Sequence, residues 1–402
     1  MLELDAVQTL ALGGLSLFAG YALCRWLPPL KRYNIPAPVV GGLVVALLVL
    51  FAHSQDVTPF KLDTSLQAPL MIAFFTTIGT NASLSLLRVS GKQVALFLAL
   101  ASAFAIVQNL IGIGVASLFG LHPLFGVLAG STTLTGGPAT GLAFAPLFEQ
   151  AGVVGAESVA VAAAMAGIIC GGLIGGPVST LLIQRRKLKH PAAGADADDL
   201  PDLTVHEEAG QISIDKREFN AIKCIVVILV AMWLGSWIGK GFTALGLTLP
   251  SYIGAMLVGA VVRNVDDRTG WFKLSLPTID LIGNVCLALF LSVALMNLKL
   301  WELAGLALPL LLNLALQVVV VAVFAYWVVY RLMGRDYDAA VMGGGFIGFM
   351  LGTTANAMAV MRTLVERYGI APRAFLVAPL VGAFFIDFTN ALIITGFLNF
   401  WH

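Results

Sequence analysis

The sequence is poor in charged residues. Asp, Glu, Lys and Arg make up only 11% of the 402 residues, whereas a soluble domain carries roughly 25%. So few charges cannot cover a water-facing surface, and a soluble protein is therefore excluded. The formal net charge of +1 also provides no basic field, so nucleic acid is not expected as a partner.

The sequence also lacks the usual motifs of metal and catalytic sites. Its four cysteines stand in or beside apolar runs without CxxC or histidine spacing, so neither a zinc site nor a disulfide framework is indicated. It contains no GxSxG, HExxH or Walker motif, and no pair of carboxylates within one apolar run. We therefore expect the chain to be neither an enzyme nor an ATP-driven pump.

Long apolar runs are what the sequence has in abundance, since 59% of its residues are hydrophobic. A bilayer core about 30 Å thick needs about 20 apolar residues per helix. The predicted fold class is an all-α polytopic membrane protein with ten spans. These runs cover residues 7–26, 36–52, 69–87, 93–118, 157–183, 222–243, 250–262, 277–295, 303–330 and 372–398.

Two further apolar stretches are interrupted by Gly, Thr, Pro or Asn. They are residues 123–148 and residues 337–364, here called the first and second broken segments. Such interruptions argue against straight helices. We predict that each broken segment forms a re-entrant hairpin and that the two enter from opposite faces of the membrane.

The basic residues are distributed unevenly about the ten runs. If the N-terminus lies outside, only Lys61, Lys240 and Lys299 of the 23 Lys and Arg residues fall on the outer side. This bias satisfies the positive-inside rule. It predicts periplasmic N- and C-termini.

The hydrophilic stretch of residues 184–220 divides five runs from five and predicts a cytoplasmic linker. It separates two units, residues 1–183 and 221–402. Because each unit has an odd number of spans, two similar units must be inverted relative to each other, as in secondary transporters. Residues that recur at a nearly constant offset are Pro36 and Pro250, Gly130 and Gly344, and Thr140 and Thr354.

The broken segments contain the residues that we expect to bind substrate. Non-helical backbone at membrane depth is tolerated only where it is buried in protein or lines a cavity. Helix N-termini at such breaks offer N–H groups to a carboxylate, and Thr and Asn oxygens can coordinate Na⁺. The alternative is that these small residues only allow close helix packing. The candidates are Ser131, Thr133, Thr135, Gly136, Gly137, Thr140, Gly141, Gly352, Thr353, Thr354 and Asn356. Further candidates for a polar wall are Asn81, Asn297, Asn284 and Gln108, for which interhelical hydrogen bonding is at least as good an explanation.

The last apolar run contains a single acidic residue near its middle. This residue is Asp387, and Asn390 follows at i+3 on the same helical face. A charge at the bilayer centre costs at least ~2.5 kcal/mol and is by default functional. We predict that Asp387 and Asn390, with Thr140 and Thr354, hold a sodium ion. The alternatives are a carboxyl that carries a proton and a structural Asp hydrogen-bonded within the bundle.

Short motifs from the first run to the last carry a family resemblance. They are Ile35-Pro-Ala-Pro-Val-Val-Gly-Gly-Leu, Thr135-Gly-Gly, Leu298-Lys-Leu-Trp-Glu-Leu, Gly334-Arg-Asp-Tyr-Asp-Ala-Ala-Val and Val381-Gly-Ala-Phe-Phe-Ile-Asp. Together they resemble the bacterial sodium/glutamate symporter family. The resemblance implies a homodimeric inner-membrane carrier of two inverted five-span domains with two re-entrant loops. It also implies that sodium entry drives glutamate uptake through an elevator-like movement.

The sequence departs from the family pattern in both loops. The first loop of the family usually reads Gly-Gly-His-Gly-Thr, whereas residues 136–140 read Gly-Gly-Pro-Ala-Thr. In the second loop, Phe346 and Asn356 stand in the neighbourhoods where the family carries His and Pro. Both departures fall where we expect substrate to bind, so a carboxylate other than glutamate stays an open alternative.

The sequence leads to the hypothesis of a sodium-coupled symporter that imports glutamate or a related acidic amino acid. Its expected partners are the substrate, the co-transported Na⁺, membrane lipid and a second copy of the chain. The competing hypotheses are a proton-coupled carrier of another organic anion and a passive channel.

Overall fold

The computed structural model describes residues 2–33, 35–57, 60–85, 91–188, 214–244, 246 and 249–401, and nearly all of these lie in helices or their connections. Within that part of the chain, six helices are long and apolar enough to cross a membrane. The prediction of a polytopic helical membrane protein is confirmed at this level. The six helices are Ala6–Trp26, Gly91–Leu118, Ala156–Arg186, Glu218–Ala244, Leu276–Met296 and Ala307–Leu332.

The elements are numbered in chain order. The helices of the first half are α1 (Ala6–Trp26), α2 (Pro28–Arg32), α3 (Ala37–His53), α4 (Gln67–Thr80), α5 (Gly91–Leu118), α6 (Pro123–Val127), α7 (Gly137–Gln150) and α8 (Ala156–Arg186). Those of the second half are α9 (Ile214–Ala244), α10 (Tyr252–Thr269), α11 (Leu276–Met296), α12 (Ala307–Phe324), α13 (Tyr337–Met350), α14 (Thr354–Tyr368), α15 (Pro372–Leu380) and α16 (Ile386–Phe400). A 3₁₀ turn covers Leu300–Leu303.

Two short strands depart from the all-α prediction. Strand β1 (Leu2–Leu4) pairs in parallel with β2 (Phe60–Leu62). The side-chain period of a strand is two residues, so three residues carry too little periodicity to reveal a strand in the sequence. This ladder fixes the start of the chain beside the connection between α3 and α4.

Two helices end where the apolar runs did not predict. Helix α10 continues to Thr269, beyond the predicted end at residue 262, because polar residues also sustain the helix: the Arg263 Nε lies 3.1 Å from Asp267 Oδ1 at i+4. Helix α4 ends at Thr80, before residue 87. An apolar run therefore indicates the part of a helix that is apolar enough to cross a membrane, but it does not predict where the helix begins or ends.

The ends of the predicted linker are helical. Helix α8 extends to Arg186 and α9 begins at Ile214, so both enter the range of residues 184–220. Residues 189–213, the larger part of the predicted linker, lie outside the described residues.

The last predicted span is not a regular helix. Pro379 lies within α15, and a π turn at Val381–Phe385 joins α15 to α16. A proline removes a backbone donor, and single π turns inside helices occur frequently at functional sites. Asp387 follows directly, in the first turn of α16.

The first broken segment is interrupted where Gly and Thr residues predicted it. Helix α6 is capped by His122, whose Nδ1 accepts a hydrogen bond from the Leu124 N–H at 3.3 Å. A π turn at Leu128–Thr132 follows, and Gly130 leaves helical geometry with φ −101° and ψ −127°. Helix α7 then begins at Gly137, whose φ is +71°.

The second broken segment has the same order of helix, break and helix. The Asp336 carboxylate caps α13 by accepting a hydrogen bond from the Ala339 N–H at 2.8 Å. The break covers Leu351, Gly352 and Thr353, and α14 begins at Thr354. All residues of α13 except the half-buried Asp338 are buried. Helix α13 therefore lies inside the protein and not on its surface.

Helix α8 packs closely against the second broken segment through small residues. A Cβ atom on Gly171 would lie 2.9 Å from Asn356 Nδ2, and one on Gly175 would lie 2.9 Å from the Gly344 carbonyl oxygen. A spacing of four residues places both glycines on one helical face. Close packing, the alternative explanation for small residues, therefore applies to α8.

Candidate functional site

A cavity of about 610 Å³ lies where the two broken segments meet. Its wall includes polar residues from both breaks and an acidic residue from α16. The predicted site residues that line it are Thr135, Gly136, Thr140, Thr353, Thr354 and Asp387. The rest of the wall is mostly apolar and comes mainly from α1, α3, α4 and α11, with Tyr21, Pro38, Phe75 and Leu291 among its residues. It also includes Asn284, which the sequence predicted for a polar wall.

The tips of the two broken segments touch each other. A Cβ atom on Gly137 would lie 3.0 Å from the Thr353 Cγ2 methyl, and Gly137 has a left-handed φ of +71°. Both features favour glycine, because a larger residue would be strained and would crowd Thr353. The two tips therefore form one wall of the cavity, although more than two hundred residues separate them in the sequence.

Two helix N-termini face this cavity. Helix α7 begins beside Gly136, and α14 begins beside Thr353. Neither N-cap residue makes a side-chain hydrogen bond to the first turn, in contrast to the capped starts of α6 and α13. Uncapped N-termini offer N–H groups and positive dipole ends to an anion. The pair of tips is therefore suited to a carboxylate.

Asp387 carries the negative charge of the cavity. Among the described lining residues it is the one with a charged side chain, and neither a hydrogen bond nor an ion pair of its carboxylate is found within the described part of the chain. A carboxylate away from bulk water requires a positive partner. The cavity thus places a cation-attracting group beside two anion-attracting helix ends.

The predicted sodium ligands are only partly brought together. Thr140 and Thr354 share the cavity with Asp387, and the Thr354 hydroxyl donates to the carbonyl of Gly382 in the π turn at 3.2 Å. Asn390 is buried behind the wall, where its Nδ2 donates to the Ser131 carbonyl at 3.0 Å. The described residues contain no cluster of three or more His, Cys, Asp or Glu. An ion here would therefore depend on hydroxyl and carbonyl oxygens beside the single carboxylate.

Several predicted substrate-binding residues do not line the cavity. They are Ser131, Thr133, Gly137, Gly141, Gly352 and Asn356. Two of them donate to backbone instead: the Thr133 hydroxyl donates to the Leu128 carbonyl of the first broken segment at 2.8 Å, and Asn356 Nδ2 donates to the Ile168 carbonyl of α8 at 3.0 Å. Buried backbone carbonyls need such partners. Thr133 and Asn356 therefore support the backbone around the cavity and do not line it.

Comparison with known proteins places the chain in a family. The family model described as sodium/glutamate symporter matches residues 2–370. The chain belongs to this family. It is 42% identical to the sodium/glutamate symporter of Haemophilus influenzae over 391 residues, which cover 96% of this chain and 95% of that protein. It is 41% identical to the sodium/glutamate symporters of Escherichia coli and Shigella flexneri over 399 residues, which cover 99% of this chain and 98% of each relative. These relatives are named as symporters, so the expectation of a transporter and not an enzyme is confirmed.

The two departures from the sodium/glutamate symporter pattern differ in their relation to the cavity. Pro138 and Ala139 of the first loop line it. Phe346 does not; it is fully buried and packs edge-on against Phe97 and Phe104, with both pairs of ring centroids 5.7 Å apart. Phe346 therefore belongs to an aromatic cluster of the core, and the expectation that the second departure falls at the substrate position stays a prediction.

Gln108 links the two broken segments, which the sequence indicated only weakly. Its Oε1 accepts a hydrogen bond from the Thr135 hydroxyl at 2.6 Å, and its Nε2 donates to the Met350 carbonyl at 2.7 Å. Gln108 is fully buried near the middle of α5. The available signal was an amide pair, Gln108 and Asn109, inside a long apolar run. Its partners could not be read from the sequence.

Helix α12 supplies a second pair of amides to the same region. Asn313 Nδ2 donates to the Ala129 carbonyl at 2.6 Å, and Gln317 Nε2 donates to the Gln108 carbonyl at 2.7 Å. Their spacing at i and i+4 places both side chains on one helical face. These buried amides donate to backbone carbonyls of the first broken segment and of α5, and so stabilise the backbone around the break.

We expect Gln108→Leu to destabilise the protein and to impair transport. The substitution leaves the Thr135 hydroxyl and the Met350 carbonyl buried without a partner, and each such loss costs about 1–3 kcal/mol. Thermal denaturation in detergent should show a clearly lower Tm. The matched control is Gln184→Leu, which removes an exposed hydrogen bond from Gln184 Nε2 to the Tyr368 hydroxyl and should leave Tm nearly unchanged. Equal Tm values for the two variants would contradict the linking role of Gln108.

Proposed function

We propose that the chain is a sodium-coupled symporter that imports glutamate or a related acidic amino acid. The observation that carries the proposal is the meeting of two uncapped helix N-termini with the unpaired carboxylate of Asp387 in one cavity. The names of the relatives, sodium/glutamate symporters, support the same substrate and ion.

The charges of the site explain why an anion would need a cation. The helix ends attract a substrate carboxylate, whereas Asp387 repels it, and the described lining residues include no Lys or Arg. A sodium ion held by Asp387, Thr140 and Thr354 removes this repulsion. Each ligand then binds better in the presence of the other, which is the thermodynamic requirement for coupled transport.

The architecture that we propose has ten spans in two inverted repeats, residues 1–183 and 221–402. The two broken segments then act as re-entrant hairpins that enter from opposite faces and meet at the midplane. The common order of helix, break and helix in both segments supports this arrangement. Transport would follow an elevator-like alternation in which the cavity faces one side of the membrane and then the other.

The orientation and assembly follow from the same reasoning. The excess of Lys and Arg on one side assigns the linker of residues 184–220 to the cytoplasm and both termini to the periplasm. The protein then resides in the bacterial inner membrane and acts as a homodimer. Inward movement of one net positive charge gains ~2.3 kcal/mol per 100 mV of membrane potential, so more than one Na⁺ for each monoanionic substrate makes uptake electrogenic.

We expect purified protein in proteoliposomes to accumulate glutamate when an inward sodium gradient is imposed. Replacing the sodium gradient by a pH gradient should give no accumulation, since the ion held by Asp387 is Na⁺. Radiolabelled substrate uptake measures both conditions, and liposomes without protein are the control. Accumulation driven by the pH gradient alone would favour a proton-coupled carrier, and equilibration without accumulation would favour a channel.

The substrate itself is tested by a competition panel in the same vesicles. Glutamate, aspartate and dicarboxylates without an amino group are added in excess over labelled glutamate. Pro138 and Ala139 line the cavity where the family pattern differs, so the order of competition reports the effect of this loop on specificity.

A further inference from the structure

A basic pocket lies where two candidate membrane spans end. Its volume is about 210 Å³, and it is lined by Arg186, Tyr330, Arg331 and Arg335. Arg186 ends α8, and Arg331 lies in the last turn of the span Ala307–Leu332. None of these four residues belongs to the substrate cavity.

The three guanidinium groups have no acidic partner among the described residues. The ion pairs found there join Lys61 to Glu3, Arg263 to Asp267, Lys299 to Glu302 and Arg373 to Asp336. Three like charges around a small pocket repel one another, and a bound anion removes that repulsion. Arginine is also the side chain best suited to phosphate, because its planar fork donates two parallel hydrogen bonds.

Local contacts hold the Arg331 side chain and the backbone of Arg335 in place. The Arg331 Cζ lies 4.9 Å from the centre of the Trp327 ring, which holds this guanidinium in a cation–π contact. The Tyr330 hydroxyl donates to the Arg335 carbonyl at 2.9 Å, and the Arg335 N–H donates to the Tyr330 carbonyl at 3.0 Å. These two hydrogen bonds fix the turn that carries Arg335.

An exposed apolar face of the same helix leads directly to the pocket. Its members recur every three or four residues, which places them on one side of the helix. They are Leu308, Leu312, Leu316, Val319, Val323 and Trp327, and they are 38% to 67% exposed. Arg331 follows at the next position of this row. Tryptophan and arginine at the end of an apolar face are typical of the boundary between acyl chains and headgroups.

We propose that this pocket binds the phosphodiester headgroup of an anionic phospholipid, whose acyl chain lies along the apolar face that ends at Trp327. Basic pockets between transmembrane helices bind anionic headgroups in this way. The arginines recognise the phosphate, and the apolar face distinguishes a lipid from free phosphate. A site of this kind ties the end of α8 to the end of the span Ala307–Leu332 and so stabilises the helices that support the broken segments.

The test measures Tm of the purified full chain in detergent with added phosphatidylglycerol, phosphatidylcholine or inorganic phosphate. A ligand that binds the folded protein raises Tm. We expect phosphatidylglycerol to raise Tm by several degrees more than phosphatidylcholine does, and the triple variant Arg186→Gln, Arg331→Gln, Arg335→Gln to lose at least half of that difference. The matched control, Lys92→Gln, Arg185→Gln, Arg362→Gln, removes three exposed basic residues outside the pocket and should keep it.

Three results would overturn the proposal. They are an unchanged lipid effect in the triple variant, an equal effect of phosphatidylcholine, and an equal effect of inorganic phosphate at the same concentration. Because loss of three arginines can impair folding, native mass spectrometry of Arg335→Gln gives a second measurement. This variant should retain several-fold less phosphatidylglycerol than Arg362→Gln, and equal retention would also contradict the lipid site.

Discussion

Asp387→Asn is expected to abolish sodium-dependent concentrative uptake in proteoliposomes. The substitution keeps the size of the side chain and removes the charge that faces the cavity. Loss of one partner of a buried charge pair costs about 2–5 kcal/mol, which corresponds to a loss in sodium affinity of roughly 30-fold to 4,000-fold. Such a loss leaves the ion site empty at ordinary sodium concentrations, so the sodium gradient no longer drives the substrate.

The measurement is labelled glutamate uptake against sodium concentration, with Tm measured in parallel to establish that the variant folds. The matched control is Glu366→Gln, which neutralises an exposed carboxylate on α14 outside the cavity. This control should keep the activity and the sodium dependence of the original protein. Full sodium-driven accumulation by Asp387→Asn would remove Asp387 from the ion site.

Gly137→Ala is expected to reduce transport strongly by separating the two tips. The added methyl would lie 3.0 Å from the Thr353 Cγ2, which is tighter than an ordinary contact between carbon atoms. Either the first or the second broken segment must then shift, and both line the cavity. A small displacement of binding groups can reduce the rate about 100-fold. The measurement is the initial rate of sodium-driven uptake.

The matched control is Gly152→Ala, which separates the effect of steric crowding at Gly137 from the effect of backbone strain. Gly152 also has a positive φ, +96°, and nothing lies within 4 Å of a Cβ atom built there. A left-handed conformation costs a non-glycine residue about 1–2 kcal/mol, so both variants should lose stability through backbone strain and only Gly137→Ala should lose transport.

A second substitution provides a rescue. Thr353→Ser removes the Cγ2 methyl and keeps the hydroxyl, so the double variant Gly137→Ala, Thr353→Ser should recover part of the rate. If the two residues are in contact, the effects of the two substitutions on the transport rate should not be additive. Additive losses in the double variant would contradict a direct contact between the tips.

The interruptions of the two broken segments could be predicted because their cause is local. Gly130 and Gly352 stand among Gly, Thr and Pro residues inside otherwise apolar stretches, and such residues end helices through their own backbone preferences. The π turn before Asp387 was not predicted. Pro379 gave a local signal, but the length of the irregular turn depends on the packing around it.

The sequence could not predict which polar residues line the cavity and which of them hydrogen-bond to the surrounding backbone. Asn390 and Asp387 share a helical face, and yet Asn390 donates to the Ser131 carbonyl whereas Asp387 lines the cavity. Asn356 stands two residues after Thr354, and only Thr354 reaches the cavity. An amide and a hydroxyl satisfy whichever group packs against them, and that group comes from a distant part of the chain.

The sequence by itself determined that this is a helical membrane protein with two interrupted segments and one acidic residue within an apolar run. These properties depend on composition and on the conformational preferences of neighbouring residues, and both can be read from the sequence. Only the tertiary structure decided that Gly137 meets Thr353, that Gln108 joins both segments and that Asp387 shares their cavity. Such contacts join residues far apart in the chain, and they form only when the packing of whole helices brings their side chains together.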